Sequence, residues 1–167
     1  FMITNFFTLL TPFTFTSALS FNFPSFDSSE PNISYEHAYA NEDKFIQLTG
    51  SKLLTFYHGR ATYFRPMHLW DKDSKNLTDF ATHFSFVIDS HNQTFYADGM
   101  TFFLASNGSK VSMTATGGNL GLYNLDSTSD RFVAVEFDIY QNDWDPPGEH
   151  VGIDINSLKS LANASWL

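Results

Sequence analysis

The chain has 167 residues, enough for one domain with a substantial core and too few for two of ordinary size. It has no cysteine, which excludes disulfides and thiolate metal sites, and a formal net charge of −9, which argues against binding a nucleic-acid backbone or an anionic membrane surface. Its 19 Phe and 7 Tyr suit half-buried pleated strands, and abundant Ser, Thr, Asn and Gly supply turns, so the expected class is all-β.

Residues 1–18 are apolar and hold no Lys, Arg, Asp or Glu, and they end in the small residues Thr16-Ser17-Ala18 that a signal peptidase reads. The expectation is a secretory signal peptide over 1–18 and one domain over 19–167. Pro12 disfavours the competing reading of a buried first strand. The alternation of Phe21 and Phe23 with Ser20 and Asn22 predicts a strand that Pro24 ends. Sequons at Asn32, Asn76, Asn92, Asn107 and Asn163 accord with a secreted or cell-surface glycoprotein. Further strands are predicted at 45–48, 59–64, 80–88, 100–105, 119–123 and 132–140, with no amphipathic helix between them. Within 82–88, Phe84, Phe86 and Ile88 are expected inward, with His83, Ser85 and Val87 on the other side. Repeated short strands of this kind indicate a sandwich or jelly roll.

Val133 to Ser160 carries the chemistry. Val133, Val135, Phe137 and Ile139 alternate with Ala134, Glu136, Asp138 and Tyr140, so two carboxylates share one face of a strand. A turn-rich segment, 141–149, leads to a second alternation in which His150, Gly152 and Asp154 oppose Val151, Ile153 and Ile155. The hairpin lets His150 face the acids. Glu136, Asp138, Asp145, His150, Asn142 and the Tyr140 carbonyl then form a candidate ligand set. Its all-oxygen part (Asp138, Tyr140, Asn142, Asp145) suits a hard cation such as Ca2+, and the part with one nitrogen (Glu136, Asp138, Asp145, His150) suits a transition ion. A solvated hairpin with Asx turns is the plainer reading. It leaves unexplained why carboxylates that repel one another share a face with a histidine.

The run Glu136, Phe137, Asp138, Tyr140, Asn142, Asp145, Pro146, His150 resembles the metal-binding segment of legume (L-type) lectins at matching offsets. LSFNFPSF at 19–26 is similar to the opening strand of that family. The resemblance implies a jelly-roll sandwich of antiparallel sheets, with Mn2+ on Glu136, Asp138, Asp145 and His150, Ca2+ on Asp138, Tyr140, Asn142 and Asp145, and Ser160 holding a metal-bound water. In YADGMTFF it assigns Asp98 to the sugar and implies a cis peptide before it. In GGNLGL it assigns a backbone N–H of Gly118 to the sugar, and the Asn142 amide completes the polar contacts. Tyr140 offers a ring for the apolar face of a pyranose. His37, His58, His68, His83 and His91 show no ligand-like spacing, and Trp144 is expected to plug the metal loop.

The function expected on these grounds is non-covalent binding of a glycan or monosaccharide, with a Ca2+/Mn2+ pair organising the site. A two-metal hydrolase is the competing enzyme reading. Every acid of the cluster is already a ligand in the lectin reading, which leaves no nucleophile or general acid. An ectodomain acting through protein contacts is the other reading, because 21–29 and 97–106 resemble plant lectin receptor kinases. The family pattern continues past the metal hairpin, so the domain is expected to be incomplete at its C-terminus. Exposed apolar faces should follow, with open strand edges that offer a route to homo-oligomers.

Overall fold

A computed structural model of the chain describes residues 19–49, 58–112, 116–122 and 131–166. The expected signal peptide, 1–18, lies outside the described residues, as does Tyr123. Every regular element among the described residues is a β-strand, apart from one 3-10 turn at Gly117–Asn119. No described helix is long and apolar enough to cross a membrane.

Two small ladders come first. Strand β1 (Ile33–Glu36) pairs antiparallel with β4 (Arg60–Tyr63), placing Ile33 opposite Tyr63 and Glu36 opposite Arg60. Between them β2 (Tyr39–Ala40) pairs with β3 (Ile46–Gln47). The main sheet has the order β5 (Gly99–Ala105), β6 (Phe132–Asp138), β7 (His150–Ile155), β8 (Ala162–Ser165), antiparallel throughout. Its register sets Gly99 opposite Asp138, Glu136 opposite Gly152, and Asp138 opposite His150.

Period-two alternation gives each strand of this sheet two unlike faces, and the one that is covered is the polar one. Phe132, Ala134, Glu136 and Asp138 of β6 are buried with His150, Gly152 and Asp154 of β7. Val133, Ile153 and Ile155, on the opposite face, remain 47%, 45% and 46% exposed. Alternation fixes which residues share a face but does not say which face is covered. Here the Gly117 turn and the segment carrying Ser160 close over the acids. At the other end of the same face Leu122, Phe132 and Ala134 form the apolar core, with Phe103 and Leu120 against them. The buried Arg60 joins β4 to β5, its guanidinium 4.2 Å from the Phe103 ring centre and its Nη2 donating to Ser109 Oγ at 2.8 Å.

Several expected strands take another form. Segment 80–88 makes no ladder; it lies across the apolar face, with Phe84 stacked on Phe102 at 5.3 Å and Phe86 tilted against Phe137 at 4.7 Å. Its aromatic residues do point to the sheet, as their alternation required, yet ring contacts hold them where strand pairing was expected. Segment 19–23 likewise forms no strand, and Phe21 stacks on Tyr63 at 4.1 Å. Over 119–122, the described part of the strand predicted at 119–123, the chain makes turns. Strands β1, β2 and β8 were not foreseen. β8, with the sequence ANAS, lacks the β-branched and aromatic residues that mark strands.

The unequal covering of the two faces has a direct consequence for stability. Ala134→Leu, which overfills the buried face, is expected to destabilise the chain by about 1–3 kcal/mol. Ile153→Thr on the open face should change stability by less than about 0.5 kcal/mol. Urea denaturation of both variants checks this, and equal losses would mean that the apolar face is covered in solution.

Candidate functional site

The site grows from the β6–β7 register. Pairing Glu136 with Gly152 and Asp138 with His150 stacks two acids and an imidazole on one face, and all three are buried, at 1%, 2% and 1% exposure. One ligand atom from each lies within 4.8 Å of the others. Gly152 makes the stack possible, because a side chain there would collide with Glu136 Oε1 and Ser160 Oγ. The Ser160 hydroxyl donates to Glu136 Oε1.

His150 is held at its far nitrogen by the backbone. Its Nδ1 lies 3.2 Å from the Gly148 carbonyl, which can only accept, so Nδ1 carries the proton. Nε2 faces Glu136 Oε1, also 3.2 Å away. A carbonyl fixing the far nitrogen is the arrangement found behind metal-ligating histidines.

The following loop adds oxygen atoms. Tyr140 N–H donates to Asp138 Oδ1 at 2.7 Å, and Asn142 N–H donates to Asp145 Oδ2 at 2.6 Å. That leaves Asn142 Oδ1 and Asp145 Oδ1 shielded from water and, among the described residues, without a hydrogen-bond partner. Buried oxygens of this kind are costly unless something with positive charge satisfies them. The donor set therefore fits a metal ion, with Glu136, Asp138 and His150 as the cluster that could hold it and the loop oxygens beside them.

Electrostatics agree. Burial pushes Asp138 up to about 7, against the opposing Tyr140 N–H, and the Asp145 charge adds to the rise. Burial also raises Asp145 and Asp98, the latter with help from the Asp145 charge. Asp154, which sequence alternation put on this face without a role, is wholly buried; burial and then the charge of Glu136 raise it. It is one more acid than the expected ligand set. Its place in the period-two pattern after His150 and Gly152 was the signal available for it.

Asp98 enters from β5, immediately before Gly99, after a cis Ala97–Asp98 peptide that matches the expectation. Its carbonyl accepts from Ile139 N–H at 2.8 Å, which ties it to the end of β6. The turn Gly117–Asn119 closes the site. A side chain on Gly117 would strike Asp98 Oδ2, while one on Gly118 would lie 3.2 Å from the Asn142 amide atoms. Both glycines are thus occupied by close approach to polar groups, and the expectation had singled out Gly118 alone. Tyr140 is partly exposed beside this cluster, with the exposed Phe95 ring edge-on at 6.2 Å. Trp144 is 41% exposed, so it does not plug the loop. The structure brings together Asp98, Gly118, Asn142, Glu136, Asp138, Asp145, His150 and Ser160, with Tyr140 at the rim.

The legume lectin domain pattern matches residues 18–167, and the chain belongs to that family of non-enzymatic carbohydrate-binding proteins, which generally bind metal ions. It is 36% identical to a lectin-related protein of Cladrastis kentukea over 98% of this chain and 58% of that protein. It is 38% identical to anti-H(O) lectin 1 of Cytisophyllum sessilifolium over 89% of this chain and 64% of that one. Among solved structures, basic winged bean lectin with Tn-antigen matches at a TM-score of 0.75 and 30% identity, covering 89% of this chain and 64% of that chain. The lectin UEA-II complexed with galactose matches at 0.71 and 28%, over 89% and 66%. The chain thus spans a little under three fifths of the first curated relatives it matches, 58% and 59% of them.

Two outcomes follow from the buried acids. Without metal, the folded protein keeps protons on Asp138, Asp145 and Asp98 that the unfolded chain releases above about pH 4. Raised folded-state values mean that this stability is present below about pH 4 and is lost as pH climbs through about 7. Urea midpoints in chelator should therefore fall between pH 4.5 and 7.5, and a midpoint that rises over this range would contradict the assignment. Asp138→Ala, which removes one acid of the Glu136–Asp138–His150 cluster, should abolish metal binding there. Elemental analysis that finds unchanged metal content in this variant would exclude Asp138 as a ligand.

Proposed function

We propose that the chain is the metal-binding part of a lectin that holds a glycan non-covalently against Asp98, Gly118, Asn142 and Tyr140. The observation that carries the reading is the contact between two clusters. Asn142 joins them: its N–H donates to Asp145 Oδ2 on the acid side, and its side-chain amide lies against Gly118 on the other. In this reading Ca2+ and Mn2+ supply positive charge that neutralises the acids and holds the loop's oxygens. The chain's own groups do the recognition. Asp98 accepts hydrogen bonds from sugar hydroxyls, the Asn142 NH2 donates, and the absence of a side chain at Gly118 admits the sugar to the backbone N–H. The Tyr140 ring receives the apolar face of the pyranose. The Ser160 hydroxyl, held on Glu136, would fix a metal-bound water.

Lectin names among the relatives and the sugar in the UEA-II structure support a glycan ligand. The acid set supports binding over hydrolysis, because the acids of the ligand set hold charge and the one beyond it, Asp154, is wholly buried away from a substrate. Sequons in turns at Asn32, Asn92 and Asn107, in a loop at Asn76 and on β8 at Asn163 support a secreted or cell-surface glycoprotein with 1–18 as its leader. The exposed edge strand β8 is where further strands or a second copy would pair.

Asp98→Ala would leave sugar hydroxyls unpaired in a partly buried site. The expected loss is about 1–3 kcal/mol, or roughly tenfold to a hundredfold in affinity. A glycan array identifies the ligand, and titration calorimetry on wild type and variant with that glycan measures the effect. Equal affinities would place recognition elsewhere.

A further inference from the structure

Away from the hairpin, two histidines that sequence spacing kept apart meet at the end of the β1–β4 ladder. His37 follows Glu36, the last residue of β1, and His58 stands two residues before Arg60, the first of β4. Their ring centroids are 5.3 Å apart with the planes at 62°. Gly59 holds the two segments together, since a side chain there would collide with the carbonyls of Leu48 and His37. His58 is the unusual member: both Nδ1 and Nε2 are shielded from water, and among the described residues neither has a hydrogen-bond partner. Buried imidazole nitrogens ordinarily have one.

We propose that His37 and His58 bind a first-row transition ion, Zn2+ in the first instance, at a site separate from the hairpin. Zinc–imidazole bonds of about 2.0–2.1 Å with a tetrahedral angle put two ring centres roughly 5.2 Å apart, close to the spacing seen. The rings need only turn about χ2, a soft torsion, to present one nitrogen each. Waters complete the coordination. Two neutral imidazoles suit zinc, copper or nickel and leave Ca2+ unbound, so the pair would not compete for the hard cation of the hairpin.

The test starts from protein saturated with Ca2+ and Mn2+, dialysed against Zn2+, with all three metals followed by elemental analysis. Wild type should take up about one zinc beyond any displaced manganese, and His37→Asn and His58→Gln should each take up none. Asparagine is chosen at 37 because the backbone there has φ of +53°, a region it tolerates. Asp138→Ala should lose hairpin metal and keep the additional zinc, which separates failure of this site from failure of the lectin reading. Pulsed EPR with Cu2+ as probe on wild type supplies a readout independent of variant folding: two coupled imidazoles support the pair. A single imidazole, or zinc uptake unchanged in His58→Gln, would overturn the proposal.

Discussion

Carboxylates that are buried beside one another must be neutralised, and this chain is built around that necessity. Glu136, Asp138 and Asp154 project from adjacent strands into a covered space with His150, and Asp98 and Asp145 close in from the loops. Like charges at such spacing in a low dielectric force one of two solutions: protons on the acids, or cations between them. The raised Asp138 value describes the first. His150 Nε2 turned to Glu136, together with the oxygens of Asn142 and Asp145 that lack a partner among the described residues, describes the second. A site that needed only protons would not leave the buried oxygens of Asn142 and Asp145 without a donor among the described residues.

Much else is arranged to permit this burial. Gly152 clears room for Glu136, Gly117 clears room for Asp98, and the β5–β6–β7 register brings Gly99, Asp138 and His150 into one row. These are backbone devices: they position charged side chains by leaving others out. The result is a polar face sealed by its own loops and an apolar face that stays half open. For a sheet this reverses the usual economy of burial. It follows from where the closing segments attach, since the 3-10 turn and the Ser160 segment both lie on the acid side.

The site was legible because its residues are chemically unlike their neighbours and recur at fixed offsets along two alternating strands. Glu136, Asp138 and His150 could be paired from period two alone, and Asn142 and Asp145 followed from the turn between. Asp154 shows the limit, since it sits in the same alternation but nothing in the sequence tells a ligand from a buried neighbour. The fold was legible in class and less so in detail. Phe-rich runs at 19–23 and 80–88 look like strands because aromatic alternation is what strands require; in the structure those rings serve stacking on Tyr63, Phe102 and Phe137. Ala162–Ser165, without such residues, forms an edge strand because β7 offers it a ladder. His37 and His58 lie twenty-one positions apart, and only the pairing of β1 with β4 reveals that they touch.

The central claim is that metal in the hairpin organises the surface formed by Asp98, Gly118 and Asn142. It is tested most directly by stripping the purified protein with chelator and measuring capture of its glycan as Ca2+ and a transition ion are returned singly and together. Capture should vanish with the metals and return in full when both are restored. Undiminished capture by protein shown to be metal-free would contradict it.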